Sequence, residues 1–146
     1  MSKSFALMAS FIVCFVSLQT ALAFTPKNPE IQGVLAELAK ESKAKDPAFT
    51  EFSAERGKTF YFFEHTDSAE GDKRSCATCH KSDPMLPSKH AVTGKKIDPL
   101  SPKVQRDRFT KAAKVEKWFR RNCKWTLERE CTSLEKGDFI EFIYSL

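Results

Sequence analysis

A chain of 146 residues, 41% of them hydrophobic and 29% charged, bounds the answer to one small domain with room for a short preface. The formal net charge is +5, mildly basic. In a protein exported from the cytoplasm, as the leader below implies, that excess excludes nucleic acid as the natural partner and favours an acidic protein surface.

The chain opens with a single positive charge at Lys3 and then runs from Phe5 to Leu22 without a charge. The run closes on Ala21-Leu22-Ala23, a small-x-small cleavage site, so residues 1–23 read as a secretory signal peptide cut after Ala23. An uncleaved membrane anchor is the alternative, because the apolar run approaches a bilayer's thickness. Polar Ser17, Gln19 and Thr20 favour cleavage. Loss of Lys3 lowers the charge to about +4.

Residues 24–47 form a leader and a first helix. Ile31, Val34, Leu35 and Leu38 recur at helical spacing between Glu30 and Ala44, and Asp46-Pro47 ends the pattern. Ser53 is placed to cap a second helix from Ala54 to about Glu64. Gly57 inside it costs about 1 kcal/mol relative to alanine, which predicts a close neighbour at that point. Phe60, Tyr61, Phe62 and Phe63 are expected to supply core and to wall a cofactor. A polar loop from Thr66 to Ser75 then leads to the central motif.

That motif is Cys76-Ala77-Thr78-Cys79-His80. Cysteines three apart with histidine next form the attachment sequence for haem c: the thiols add across the vinyl groups on one porphyrin edge, and the adjacent imidazole takes one axial position. A redox dithiol would sit in a βαβ pattern, and a zinc ribbon needs a second close pair; neither is present. Export agrees with a haem attached outside the cytoplasm.

From Lys81 to Arg108 the chain is irregular, with four prolines and a Thr93-Gly94-Lys95 turn. So long a loop needs something to pack on, and a haem edge provides it. Thr110 is the expected cap of a third helix through Arg121, with Ala112, Val115, Trp118 and Phe119 on one side and Lys111, Lys114, Lys117 and Arg121 largely on the other. Thr132-Ser133-Leu134-Glu135 is a capping box that starts a terminal helix carrying Phe139, Ile140, Phe142 and Ile143. The expected architecture is all-α: a small single-haem, class I-like cytochrome c domain over residues 48–146 with an extra N-terminal helix.

Of five cysteines, Cys14 leaves with the leader and Cys76 and Cys79 take the haem. The remaining Cys123 and Cys131 should form a disulfide in an oxidising compartment, worth about 2.5 kcal/mol on chain-entropy grounds. The second axial ligand is open on residue type alone. Met85 follows His80 too closely to pass round a porphyrin edge with ease, and His65 or His90 would give a bis-histidine electron carrier.

Cys76 to His80, Thr93 to Pro102, Arg108-Phe109-Thr110, Lys114 to Cys123, Arg129-Glu130-Cys131 and Glu135 to Asp138 together resemble the Sphaeroides-type haem proteins. These are small bacterial c-type cytochromes long catalogued as a domain of unknown function, and the likeness spans about residues 48–146. The resemblance implies one covalent haem c, ligated by His80 and, on the far side, by Asn122, with the Cys123–Cys131 bridge pinning the segment that presents Asn122. It implies a periplasmic electron carrier that receives electrons from a dihaem c-type cytochrome, with a membrane b-type cytochrome upstream. A neutral amide is a weak ligand that suits ferric iron better than ferrous, so the ferrous protein is expected to open for O2, NO or another diatomic. Use of that open site by an enzyme or sensor is the alternative function; no acid or base for peroxide cleavage is identified beyond His65 and His90 by residue type.

Overall fold

The structure is a computed structural model and describes residues 26–146. The signal peptide, its cleavage site and Cys14 lie outside the described residues. Among the described residues, no helix is long and apolar enough to cross a membrane.

Five helices and two minimal hairpins make up the described chain. Helix α1 spans Pro29–Lys45; the Asn28 side chain accepts from the backbone N–H of Ile31, and proline occupies the first turn, where no donor is needed. Helix α2 spans Ala54–Phe62, and Ser53 caps it as expected, its side chain accepting from the backbone N–H of Arg56. Strands β1 (His65–Thr66) and β2 (Lys73–Arg74) close the first antiparallel hairpin. Helix α3, Cys76–His80, is the attachment motif itself. Strands β3 (Ser88–Lys89) and β4 (Lys96–Ile97) form the second hairpin within the segment expected to be irregular. Helix α4 spans Ala112–Leu127 and helix α5 Ser133–Ser145, the latter opened by the expected Thr132/Glu135 capping box. The result is an all-α protein in which each strand is two residues long.

The core is built on α5. Ile140 and Ile143 are fully buried, and Phe139, Phe142 and Tyr144 nearly so. Helices α1 and α2 pack across α5, while Val115, Phe119, Cys123 and Leu127 of α4 enter the same cluster. The α2–α5 crossing is close enough to dictate sequence. A Cβ on Gly57 would lie 1.9 Å from the Asp138 carbonyl oxygen, and one on Gly137 would lie 2.2 Å from the Phe52 ring. At the same crossing the buried Asp138 carboxylate accepts from the Ser53 backbone N–H at 2.7 Å and from Arg56 at 2.8 and 2.9 Å, so a charge removed from water is fully paired.

Two further expectations change. The third predicted helix is capped by Lys111 rather than Thr110 and continues past Arg121 to Leu127, where Glu128 turns into the left-handed region at φ 56°. Helical pattern extends that far because Cys123, Thr126 and Leu127 continue the buried stripe of Val115 and Phe119. The aromatic run also divides: Tyr61 is fully buried and Phe60 half-buried, whereas Phe62 and Phe63 are exposed, since consecutive residues on a short helix cannot all face one core.

Gly57→Ala is expected to destabilise the protein by about 3 kcal/mol, because a backbone carbonyl cannot move aside. Gly137→Ala should cost about 1 kcal/mol, because the Phe52 ring can swing away. Urea unfolding of the two variants measures the difference, and equal losses would contradict a rigid α2–α5 crossing. Thiol titration of unfolded, unreduced protein should find Cys76 and Cys79 reactive before haem attachment and no reactive thiol after it, with Cys123 and Cys131 silent in both forms.

Candidate haem attachment site

Helix α3 brings Cys76, Cys79 and His80 onto one helical turn, at i, i+3 and i+4, where side chains project from the same face. Ser75 starts the turn, and its backbone N–H is held by the Thr78 hydroxyl at 2.9 Å on the other face, leaving the cysteine face free of capping duties. Both thiols are free, whereas the remaining cysteine pair is bridged. Burial pushes the Cys76 thiol up to about 12 and holds it protonated. Burial, helped by the nearby Arg108 guanidinium, lowers His80 to about 4, so at neutral pH its imidazole is uncharged and has a lone pair to give to a metal.

The turn is fastened on two sides. The Tyr61 hydroxyl donates to the carbonyl of Lys81, the residue after the motif, at 2.6 Å, while its ring packs against Phe139 and Phe142 of α5. From the opposite side the β3–β4 hairpin reaches back, and the Ala91 backbone N–H points to Cys79 Sγ at 3.4 Å. Arg108 donates to the carbonyls of Asp98 and Pro99 at 2.6 and 2.8 Å, holding the end of the long segment beside His80. Leu86, Val92 and Val104 in this segment, and Trp118 on α4, present large apolar side chains outward. Free thiols on one turn and a neutral imidazole beside them fit a covalently held haem.

Asn122 lies within α4, one turn from Trp118 and about one turn from Trp125, so the three residues line one strip of the helix. Its side chain is exposed and makes no hydrogen bond among the described residues. The same strip meets the attachment region at its C-terminal end: the Arg74 guanidinium lies 4.7 Å from the centre of the Trp125 ring, and His90 lies 6.0 Å from it. Immediately after Asn122, Cys123 is bridged to Cys131 with a Cα–Cα distance of 5.6 Å, which ties the last turns of α4 to the start of α5.

The other ligand candidates have the following neighbours. His65 Nε2 pairs with the Glu128 carboxylate at 2.9 Å, and the backbone N–H and hydroxyl of Ser68 hold the same carboxylate. These contacts, the Ser68 hydroxyl first, keep Glu128 down at about 2. His90 Nδ1 accepts from the backbone N–H groups of Val92 and Thr93 at 3.2 and 3.3 Å, and its ring serves as the hairpin's inner lock. Met85 sits in a turn closed on Asp83, whose carboxylate accepts the Met85 N–H at 2.9 Å. Sequence reasoning missed Tyr61 as the clamp on the motif, Arg108 as the clamp on the long segment, and the Arg74–Trp125 stack. Each is a contact between residues far apart in the chain, with no local spacing to announce it.

The family model described as a domain of unknown function (DUF1924) matches residues 47–143. The cytochrome c-type protein SHP of Cereibacter sphaeroides is 40% identical over 103 residues, covering 70% of this chain and 75% of that protein. Cytochrome c'' of Methylophilus methylotrophus is 37% identical over 98 residues, covering 67% of each chain. Among solved structures, oxidised cytochrome c'' from the same organism aligns with a TM-score of 0.72 at 31% identity, covering 78% of this chain and 92% of that one. Oxidised SHP, described as an oxygen-binding cytochrome c, aligns with a TM-score of 0.68 at 30% identity, covering 83% and 100%. Since the shared region contains the attachment turn, the long segment, the bridged helix α4 and α5, the chain belongs to the family of small monohaem c-type cytochromes that includes SHP and cytochrome c''.

Proposed function

We propose that the protein is a periplasmic electron-transfer cytochrome whose haem c is bonded to Cys76 and Cys79, ligated by His80, and capped on the far side by a weak, releasable Asn122. When bound, the haem would supply a one-electron ferric–ferrous couple and a site for a diatomic gas. The observation that carries the reading is the placement of Asn122: it stands between Trp118 and Trp125 on the strip of α4 that reaches Arg74 and His90, and the adjacent Cys123 bridge restrains the helix there. We read the packing of α2, which leads into the motif, across α5 as class I-like.

The residues divide the work. His80 supplies a neutral, half-buried nitrogen donor on a turn held by Tyr61, so its position is set before any ligand arrives. Asn122 offers an uncharged amide whose hard oxygen favours ferric over ferrous iron, and it can release without leaving a buried charge behind. Because Cys123 is bridged, release of Asn122 requires a side-chain rotation rather than unwinding of α4. With Asn122 turned away, a bound haem would have room for O2, NO or a similar diatomic, in line with the oxygen binding for which SHP is described. A dihaem c-type cytochrome as electron donor and cleavage of the leader after Ala23 belong to the same reading.

Asn122→Ala is expected to keep the covalent haem, seen by its persistence through acid–acetone extraction, while shifting the ferric optical spectrum toward an open or water-ligated form. Asn122→His places a stronger nitrogen donor on the same strip and should make the ferrous protein resist carbon monoxide. Ferric spectra identical to the parent in both variants would sink the ligand assignment.

A further inference from the structure

Helix α4 carries a second pattern that haem ligation does not use. Lys114, Lys117, Arg121 and Lys124 recur at i, i+3, i+7 and i+10, forming one stripe beside the Trp118–Asn122–Trp125 strip, and all four are exposed. None of them enters an ion pair among the described residues. Glu116, the one acid within the helix, is instead paired to Lys136 of α5 at 2.8 Å.

The stripe works against the stability of its own helix. Like charges three or four residues apart on a helix repel one another and weaken it. Lys111 at the cap and Lys114 in the first turn also stand at the positive end of the helix dipole, where the helix has no acid of its own. The deficiency is met from outside: Glu30 of α1 accepts the Ala112 backbone N–H at 3.1 Å. At the edge of the stripe the Arg121 guanidinium lies 5.1 Å from the centre of the Trp118 ring, and Trp118 remains 43% exposed. An exposed tryptophan stacked with arginine and flanked by lysines has the make-up of a protein-binding centre with a charged rim.

We propose that this stripe is the docking surface for an acidic redox protein, which exchanges one electron with the haem across the Trp118–Asn122 side of α4; the proposal rests on the electron-transfer reading above. Carboxylates on the partner would meet Lys114, Lys117, Arg121 and Lys124 and place its redox centre over the helix strip that we assign to the distal side of the haem. A membrane surface fits less well. A helix that lies in a bilayer interface inserts its apolar face, and the apolar face of α4, with Val115, Phe119 and Cys123, is buried in the core. Docking forms and breaks no covalent bond: one partner is oxidised by one electron and the other reduced by one.

The test uses reduced, haem-loaded protein and plastocyanin, an acidic copper protein, as the acceptor probe, whose Cu(II) goes to Cu(I) as ferrous iron goes to ferric. Lys114→Gln/Lys117→Gln/Lys124→Gln is compared with Lys40→Gln/Lys45→Gln/Lys58→Gln, which removes the same charge from α1 and α2. The first variant is expected to slow oxidation about tenfold at low salt and to flatten its salt dependence, while the second stays within about twofold of the parent. With cadmium-substituted, redox-inactive plastocyanin, amide and Trp118 indole shifts should map to α4 and vanish in the first variant. Equal slowing in both variants would reduce the effect to net charge and overturn the proposal. Loss of binding to phosphatidylglycerol vesicles in the first variant, with an unchanged plastocyanin rate, would make the stripe a membrane surface and overturn it too. Oxidation by ferricyanide separates the levels: if it fails in the parent protein, the electron-transfer reading falls and the docking proposal with it.

Discussion

The burial of Tyr61 against α5 is the contact on which the geometry of the attachment turn depends. Its ring lies on Phe139 and Phe142, deep in the main cluster, while its hydroxyl reaches out to the Lys81 carbonyl directly after His80. A five-residue helix such as α3 has little stability alone, since helix nucleation is costly and so few bonds repay it. It is held by what surrounds it. The hydrogen bond contributes about 1 kcal/mol and the packing of the ring more.

The part of α4 that we propose as the far side of the site is referred to the same helix by different means. Cys131 lies just before α5 and is bridged to Cys123, so the last turns of α4 are tied to the start of the helix that Tyr61 packs on. His80 and Asn122 are thereby positioned from α5 by independent attachments: an aromatic clamp on one side and a covalent one on the other. In the role we propose for Asn122, rigid anchoring with a weak donor would suit a ligand that binds in one oxidation state and leaves in the other. A stronger donor on the same anchor would close the site. The close α2–α5 approach at Gly57, with the Asp138 carboxylate paired to Arg56 and Ser53, keeps this frame from slipping.

Much of this was legible in the sequence, for reasons that can be named. The helix starts at Ala54 and Ser133 follow from Ser53 and Thr132, because caps are local chemistry; the motif from Cys76 to His80 is legible because thioether attachment fixes its spacing. The close neighbour of Gly57 was predicted and is the Asp138 carbonyl. What failed depended on distant partners. The end of α4 was placed too early because Arg121-Asn122 resembles a helix terminus, whereas the burial of Cys123, Thr126 and Leu127 carries the helix on to Glu128. The second hairpin was hidden in a proline-rich stretch because its two-residue strands leave no alternation to detect, although its Gly94 turn was visible. The pairing of His65 with Glu128 is a further contact between distant residues that composition does not announce, while His90 is held through Nδ1 by the neighbouring backbone of Val92 and Thr93.

The account stands or falls on how easily the distal position opens. The most direct measurement is the optical and magnetic circular dichroism spectrum of the haem-loaded protein, ferric and then ferrous, with and without carbon monoxide. A six-coordinate ferric spectrum, followed on reduction by a high-spin ferrous spectrum that carbon monoxide converts at once, is the result predicted for a releasable Asn122. A low-spin ferrous spectrum indifferent to carbon monoxide would mean a strong second ligand such as His90 or Met85, and would contradict it.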